Sequence, residues 1–288
     1  MAPRCALPSI LQVVLLATGV AVGSTDVNAD EGAADVALAE LSVERAADGT
    51  RRALVRNRLA GPIHVRVHDA ATPRAVVEAT LAAGETRALG RFPGEGPGDV
   101  RLRAQVGAPQ LLPPTPRGPF RFPLPAAAEW RLTQGFGGRA SHRDPANFHA
   151  LDLAAPLGTP VLAARAGTVM QVVDAFREGG TDDALKERMN LVRVLHADGS
   201  MALYAHIATG SARVRPGEPV DAGAVLAAVG SVGWSSAPHL HFAVQFNDGR
   251  ELLTLPFRMS APDGSALGVQ DVAPGADSTR SRPPAFAR

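Results

Sequence analysis

Seven prolines fall between positions 109 and 125, and they divide the chain into two β-rich halves. Proline lacks a backbone N–H and fixes φ, so such a stretch forms neither a long helix nor a central strand. We therefore expect an extended linker over residues 108–125. The prolines are Pro109, Pro113, Pro114, Pro116, Pro119, Pro123 and Pro125.

The segment before the linker contains short apolar runs separated by glycines, a pattern typical of antiparallel β structure. The sequence predicts a small β-sandwich of immunoglobulin-like shape over residues 36–107. The predicted strands are 38–43, 52–57, 63–68, 76–81 and 100–106.

The segment after the linker, 126–259, is also mostly β. Its strongest pattern lies at 239–246, where large apolar residues alternate with His239 and His241. Alternation at period two predicts a half-buried strand, with both imidazoles on the face opposite the core. The predicted strands are 160–164, 167–175, 190–195, 200–206, 225–229 and 239–245. Both halves together predict an all-β protein.

Residues 260–288 are rich in Pro, Gly, Ser and Ala and predict a disordered tail. The other end of the chain, residues 1–23, has one charge, Arg4, followed by an apolar run that closes on small residues. This pattern indicates a secretory signal peptide, too short for a membrane-spanning helix, although a buried helix is the alternative. After its removal no remaining segment is apolar enough to cross a bilayer.

The cysteine content indicates the cellular compartment of the chain, and its charge balance restricts the classes of binding partner. Cys5 is the only cysteine and lies before the apolar run, so the mature chain would have no disulfide. Export without disulfides suits a bacterial periplasm or cell surface. The chain has 29 Lys and Arg against 28 Asp and Glu. Such a balance does not predict a nucleic acid or an anionic membrane as the main partner.

Histidines and one aspartate carry the candidate chemistry. His239 and His241 share a strand face, and His142, His149 and Asp152 lie upstream within eleven residues. A catalytic zinc site needs three protein ligands from imidazole and carboxylate groups and one open position. These residues can supply them, with either His142 or His149 as the upstream imidazole.

The middle of the chain resembles the lysostaphin/LytM-type zinc metallopeptidases, over about residues 134–257. The individual segments are short, but their order and spacing are specific. The matching segments are His142; Asp152-Leu153-Ala154-Ala155-Pro156; Gly158-Thr159-Pro160-Val161; Ala164-Arg165-Ala166-Gly167; Tyr204-Ala205-His206; Val214-Arg215-Pro216-Gly217; Gly230-Ser231-Val232-Gly233; and Pro238-His239-Leu240-His241-Phe242.

The resemblance implies one zinc ion per domain, bound by His142, Asp152 and His241. It also implies catalytic roles for His206 and His239. One feature departs from the common family pattern, which places the first histidine four residues before the aspartate. That position is Phe148 here, His149 is three residues before Asp152, and His142 is ten before it. A branch of the family has this longer spacing, with Ser-His before the loop and Asn-x-x-Ala-x-Asp after it.

The function implied by the resemblance is that of an exported zinc endopeptidase acting on peptides of bacterial peptidoglycan, either cross-links or stem peptides. The alternative is a non-catalytic relative that binds and activates other cell-wall hydrolases. A third interpretation, a β-sandwich adhesion module, would make the histidine pattern accidental.

Overall fold

The computed structural model describes residues 37–45, 50–69, 76–92, 100–115, 118–264 and 266–268. Nearly all of its regular structure is β-strand, so the predicted all-β class is confirmed. The predicted signal peptide lies outside the described residues. The described ranges contain no helix with the length and hydropathy that a bilayer crossing requires.

The strands are numbered in chain order. In the first half they are β1 (Ala39–Arg45), β2 (Arg51–Asn57), β3 (Ile63–Asp69), β4 (Val76–Leu81), β5 (Thr86–Phe92), β6 (Val100–Val106) and β7 (Phe120–Arg121). The next are β8 (Arg131–Gln134), β9 (Leu151–Ala154), β10 (Pro160–Leu162), β11 (Gly167–Val173), β12 (Gly179–Gly180), β13 (Leu191–Leu195) and β14 (Met201–Ala205). The last are β15 (Pro219–Val220), β16 (Val225–Ala228), β17 (Gly233–Trp234), β18 (His239–Asn247), β19 (Leu252–Thr254), β20 (Arg258–Ser260) and β21 (Ala266–Gly268). A 3-10 helix spans Asp183–Leu185.

An eight-stranded sheet forms the centre of the second half. Its order is β15-β11-β13-β14-β18-β9-β8, and β19 pairs with β18 off this path. Neighbouring strands are antiparallel throughout. The apolar side chains of β18 pack on one face, in a core that includes Leu240, Phe242, Val244 and Tyr204. The opposite face holds the histidines.

The strands β1 to β6 form two three-stranded sheets, in the orders β1-β2-β5 and β4-β3-β6. Their buried residues belong to a single cluster, because Leu41 and Val55 of the first sheet share it with Val65 and Leu81 of the second. Two sheets that face a common core are the arrangement expected of a sandwich, and a separate sandwich domain stays a prediction. The strand β5 was not predicted, since Thr86–Phe92 has no apolar alternation; Leu89 is its buried residue among positions 86–91.

The core of the first half extends into the large sheet. Met170, Met201 and Leu252 belong to the same cluster as the sandwich residues. Backbone contacts accompany this packing: the N–H of Ala60 donates to the carbonyl of Met170 at 3.0 Å. The two predicted domains therefore share buried surface, and their independence as folding units stays a prediction.

Replacing Met201 with alanine tests this shared core. The side chain is fully buried, so its truncation should lower the free energy of unfolding by about 2–5 kcal/mol. Urea denaturation followed by tryptophan fluorescence and by far-UV circular dichroism should show one transition by both probes. Leu157→Ala, at a side chain 65% exposed, is the matched control and should change stability by less than about 0.5 kcal/mol. A stable Met201→Ala variant, or two separate transitions, would contradict a shared core.

Two predicted boundaries differ from the structure. The predicted linker 108–125 ends inside the fold, because Phe120 and Leu124 are buried in the core of the large sheet. The predicted tail begins too early, since β21 pairs antiparallel with β20 and buries Leu267. Each of these segments has too few apolar residues to be recognised as structured in the sequence. Packing against neighbouring strands nevertheless holds the segments in the fold. The tail beyond 268 lies outside the described residues.

The strand β18 also differs from its prediction. Alternation predicted one solvent face, but eight of its nine residues are buried. The histidine face is covered beyond His241, where Ala243 packs with Val173, Phe176 and Leu203. The candidate site consequently lies at one end of an otherwise covered sheet face.

Candidate metal centre

Two neighbouring strands bring Asp152 and His241 together. Asp152 on β9 is the direct antiparallel partner of His241 on β18. Side chains of directly opposed residues point to the same face and lie about 5 Å apart at Cβ. The Nδ1 atom of His241 is accordingly 2.9 Å from Oδ1 of Asp152.

His142 comes from the loop between β8 and β9. Its Nε2 atom is 3.2 Å from the same Oδ1 of Asp152, and its ring is fully buried. Its Nδ1–H donates to the carbonyl of Gly135 at 2.7 Å. One ligand atom from each of His142, Asp152 and His241 lies within 4.8 Å of the others.

These three side chains fit a cation. The Nδ1 of His142 is used as a donor, so its Nε2 carries a lone pair toward Asp152. The Nε2 of His241 faces the side-chain amide oxygen Oδ1 of Asn147 at 3.1 Å, which leaves the Nδ1 lone pair toward Asp152. The neutral rings of His142 and His241 thus each turn a nitrogen lone pair toward the carboxylate of Asp152. No hydrogen is left on these two nitrogens to donate to the carboxylate, which is the arrangement of three ligands around a cation. Two imidazoles and one carboxylate are a donor set that zinc prefers.

The electrostatics of the cluster favour an ionised carboxylate. Burial alone would raise the pKa of Asp152, but the hydrogen bonds and attraction that His142 and His241 offer in their protonated forms hold it well below its ordinary value. Burial lowers the pKa of His241 despite the nearby carboxylate. For His142, burial also opposes protonation, yet its hydrogen bond and attraction to Asp152 outweigh burial and raise its pKa.

His206 and His239 lie beside this cluster. Their ring centroids are 4.7 Å apart, and the ring of His206 is 5.9 Å from that of His241. The Nδ1–H of His206 donates to the carbonyl of Val232 at 2.8 Å, and that of His239 donates to the carbonyl of Ala237 at 2.8 Å. In its neutral form each ring then has its lone pair on Nε2. The Nε2 of His239 is 3.8 Å from Oδ1 of Asp152.

His206 has an unusual backbone and an unusual charge preference. Its φ of 62° is the one left-handed value found at a non-glycine residue within the described part of the chain. Such conformations are strained for residues with a Cβ and concentrate at functional sites. Burial, followed by the electrostatic effect of the neighbouring His239 and His241 rings, lowers the pKa of His206 to about 3. Its imidazole is uncharged at neutral pH.

All five predicted site residues meet in one place, and His149 does not join them. The Nδ1 of His149 lies 3.2 Å from both the carbonyl and the hydroxyl oxygen of Thr254. Its ring packs edge-on against Phe136 and Phe148. Phe148, at the position of the usual family ligand, is 40% exposed.

Gln134 supports the centre and was not recognised in the sequence. Its Nε2 donates to Oδ2 of Asp152 and to Oγ of Ser141, both at 2.8 Å. Its Oε1 accepts from the N–H groups of Ala140 and Ser141. Gln134 thereby orients the carboxylate and fixes the loop that carries His142. A Cβ at Gly138 would overlap Cγ of Gln134, so a glycine at this position lets the loop approach the Gln134 side chain.

Comparison with known proteins gives a family for this region. Residues 147–252 match the model of Peptidase family M23. The match contains Asp152, His206, His239 and His241, whereas His142 precedes it, so His142 depends on the geometry described above.

Curated relatives match the same half of the chain. The DD-carboxypeptidase/endopeptidase Mpg of Neisseria meningitidis serogroup B is 34% identical over 130 residues, which cover 45% of this chain and 24% of Mpg. Lysostaphin of Staphylococcus staphylolyticus is 30% identical over 124 residues, covering 42% of this chain and 24% of lysostaphin. The matched region thus spans about a quarter of the length of these relatives.

A solved structure, of a mutant catalytic domain of the prophage-encoded M23 protein EnpA from Enterococcus faecalis, is 28% identical. It covers 46% of this chain and 89% of that domain with a TM-score of 0.34. The resemblance noted in the sequence is confirmed by the family match: the chain contains a peptidase M23 domain.

Proposed function

We propose that this chain is an exported zinc-dependent endopeptidase that hydrolyses peptide bonds of bacterial peptidoglycan. The observation that carries the proposal is the convergence of two imidazole nitrogens on Asp152, with two further imidazoles alongside. In this proposal His142, Asp152 and His241 hold the metal. A zinc ion held there would lower the pKa of its bound water toward ~7 and polarise the scissile carbonyl.

The remaining chemistry belongs to His206 and His239. Each ring is fixed through Nδ1 by a backbone carbonyl, so its Nε2 can exchange a proton without reorienting. A base placed there takes the proton from the attacking water and returns it to the leaving amine. The other ring, when it carries a proton on Nε2, donates a hydrogen bond to the oxyanion that develops on the carbonyl.

The proposed substrate class is based on similarity to the relatives, and the proposed cellular location is based on the sequence of residues 1–23. Relatives bear names such as DD-carboxypeptidase/endopeptidase and glycyl-glycine endopeptidase, which describe cleavage of peptides. The apolar, nearly uncharged segment 1–23 supports export to the periplasm or cell surface. The presence of all five site residues favours an enzyme over the alternative, an inactive relative that activates other wall hydrolases.

Digestion of purified sacculi tests this proposal. The full chain is incubated with sacculi and zinc, and the muropeptides are separated by liquid chromatography and identified by mass spectrometry. We expect cross-linked or full-length stem peptides to disappear and new amino termini to form. Dipicolinate should abolish the change and added zinc should restore it. Cleavage of glycan bonds, or cleavage that resists chelation, would refute the proposal; stimulation of another hydrolase without cleavage would favour the inactive relative.

A further inference from the structure

Asn147 contacts a proposed metal ligand on the side away from the metal. Its Oδ1 atom is 3.1 Å from Nε2 of His241, while Nδ1 of the same ring points to Asp152. Asn147 lies in the loop that joins His142 to Asp152, next to Phe148. This contact links the loop to the strand that carries His241.

The orientation of the Asn147 amide is determined by Asp144. The Nδ2 of Asn147 donates to Oδ1 and Oδ2 of Asp144 at 3.1 and 3.0 Å. A carboxylate accepts hydrogen bonds, so the NH₂ end of the amide faces Asp144. The carbonyl end must then face His241. A carbonyl oxygen only accepts, so the Nε2 of His241 must carry the hydrogen.

This arrangement selects one nitrogen of His241 for the metal. Neutral imidazole carries one hydrogen, and placing it on Nε2 leaves Nδ1 as the lone pair. Ligand histidines commonly donate their other N–H to an oxygen that fixes the tautomer and the ring orientation. We propose that Asp144 and Asn147 are positioning residues that hold His241 in its Nδ1-binding tautomer. The inference rests on the proposed zinc site and adds two residues to it.

Other contacts hold the loop in place, so Asn147 is separable from folding. The N–H of Thr254 donates to the carbonyl of Pro145 at 2.9 Å, and Nε2 of Gln245 donates to the carbonyl of Ala146 at 2.7 Å. The side chain of Asn147 is only partly buried. Replacing it with a side chain of similar size should leave the loop attached to β18 and β19.

The test compares three versions of the full chain. Asn147→Leu keeps the size and removes the acceptor. The double variant Asp144→Asn with Asn147→Asp exchanges the two groups, so that an amide at 144 donates to a carboxylate at 147, which again accepts from His241. Phe148→Leu is the control at the neighbouring exposed side chain.

Zinc affinity of each purified protein is measured by competition with a chromophoric chelator. We expect Asn147→Leu to bind zinc about 10–100-fold more weakly, the exchange variant to recover most of this loss, and Phe148→Leu to match the unmodified chain. Long-range ¹H–¹⁵N spectra of the zinc-loaded proteins report the tautomer of His241 directly. They should show hydrogen on Nε2 in the unmodified chain and in the exchange variant.

The measured zinc affinities decide for or against the roles of Asp144 and Asn147. If Asn147→Leu binds zinc as tightly as the unmodified chain, the inference is wrong, whatever its melting temperature does. Equal weakening in the exchange variant would also overturn it, because the acceptor would then not matter. If the unmodified chain itself does not bind zinc, the proposed function fails, and this inference fails with it.

Discussion

The His142→Ala variant should lose zinc binding, with an affinity at least ~100-fold below that of the unmodified chain. Zinc in a catalytic site is held by three protein ligands, and removing a group that merely supports a ligand already costs 10–100-fold. His142 supplies one of the two imidazole nitrogens that converge on Asp152. His241→Ala should fail in the same way. Equilibrium dialysis followed by metal analysis measures the effect.

His149→Ala is the matched control, since His149 is the alternative first ligand suggested by the sequence. It lies seven residues away from His142 and bonds to Thr254 instead of the cluster. This variant should retain zinc. The opposite result, with zinc kept by His142→Ala and lost by His149→Ala, would require a different loop conformation. Circular dichroism of the zinc-free proteins separates loss of the metal from loss of the fold.

Substituting His206 or His239 by asparagine should produce proteins that bind zinc but turn over slowly. Asparagine can retain the hydrogen bond made by Nδ1–H, to Val232 or to Ala237, while it removes Nε2. Asparagine also tolerates the left-handed backbone that His206 adopts. Loss of a general acid–base or an oxyanion donor lowers rates by about 10²–10⁴-fold. We expect this reduction in the rate of release of peptides from sacculi, with zinc affinity changed by less than a few-fold.

Alanine variants at the same two positions provide the comparison. His206→Ala also loses the bond to Val232, so it should be no more active than His206→Asn and less stable. Full activity in either asparagine variant would remove that histidine from the mechanism. Loss of zinc in both would instead make them ligands and would contradict the division into metal-binding and catalytic histidines.

Strands were predictable where the pattern was local. Alternating apolar residues identified β3, β13, β14 and β18 within one or two residues of their observed bounds. The strands β5 and β21 were not predicted because their stability comes from pairing with β2 and β20, not from their own composition. The burial of the histidine face of β18 was not predicted for the same reason. Residues from β11, β14 and a loop bury it, and their contribution is invisible within the strand itself.

The five site residues could be assigned from the sequence because the resemblance supplied them, and the structure brings them together. Spacing alone left His142 and His149 as alternatives. The folded loop separates them: His142 is buried with its Nδ1 bonded to the carbonyl of Gly135, whereas Nδ1 of His149 contacts Thr254. The contacts that the amides of Gln134 and Asn147 make with Asp152 and His241 form only when this loop is folded. His241 and Asn147 are 94 positions apart, so no local pattern links them.

The most direct test is a crystal structure of the zinc-loaded chain with anomalous data collected on both sides of the zinc absorption edge. Our account predicts a single zinc peak among His142, Asp152 and His241. The distances from zinc to Nε2 of His142, to a carboxylate oxygen of Asp152 and to Nδ1 of His241 should be about 2.0–2.2 Å. A peak that excludes His142, or a protein that takes up no zinc at this cluster, would contradict the account.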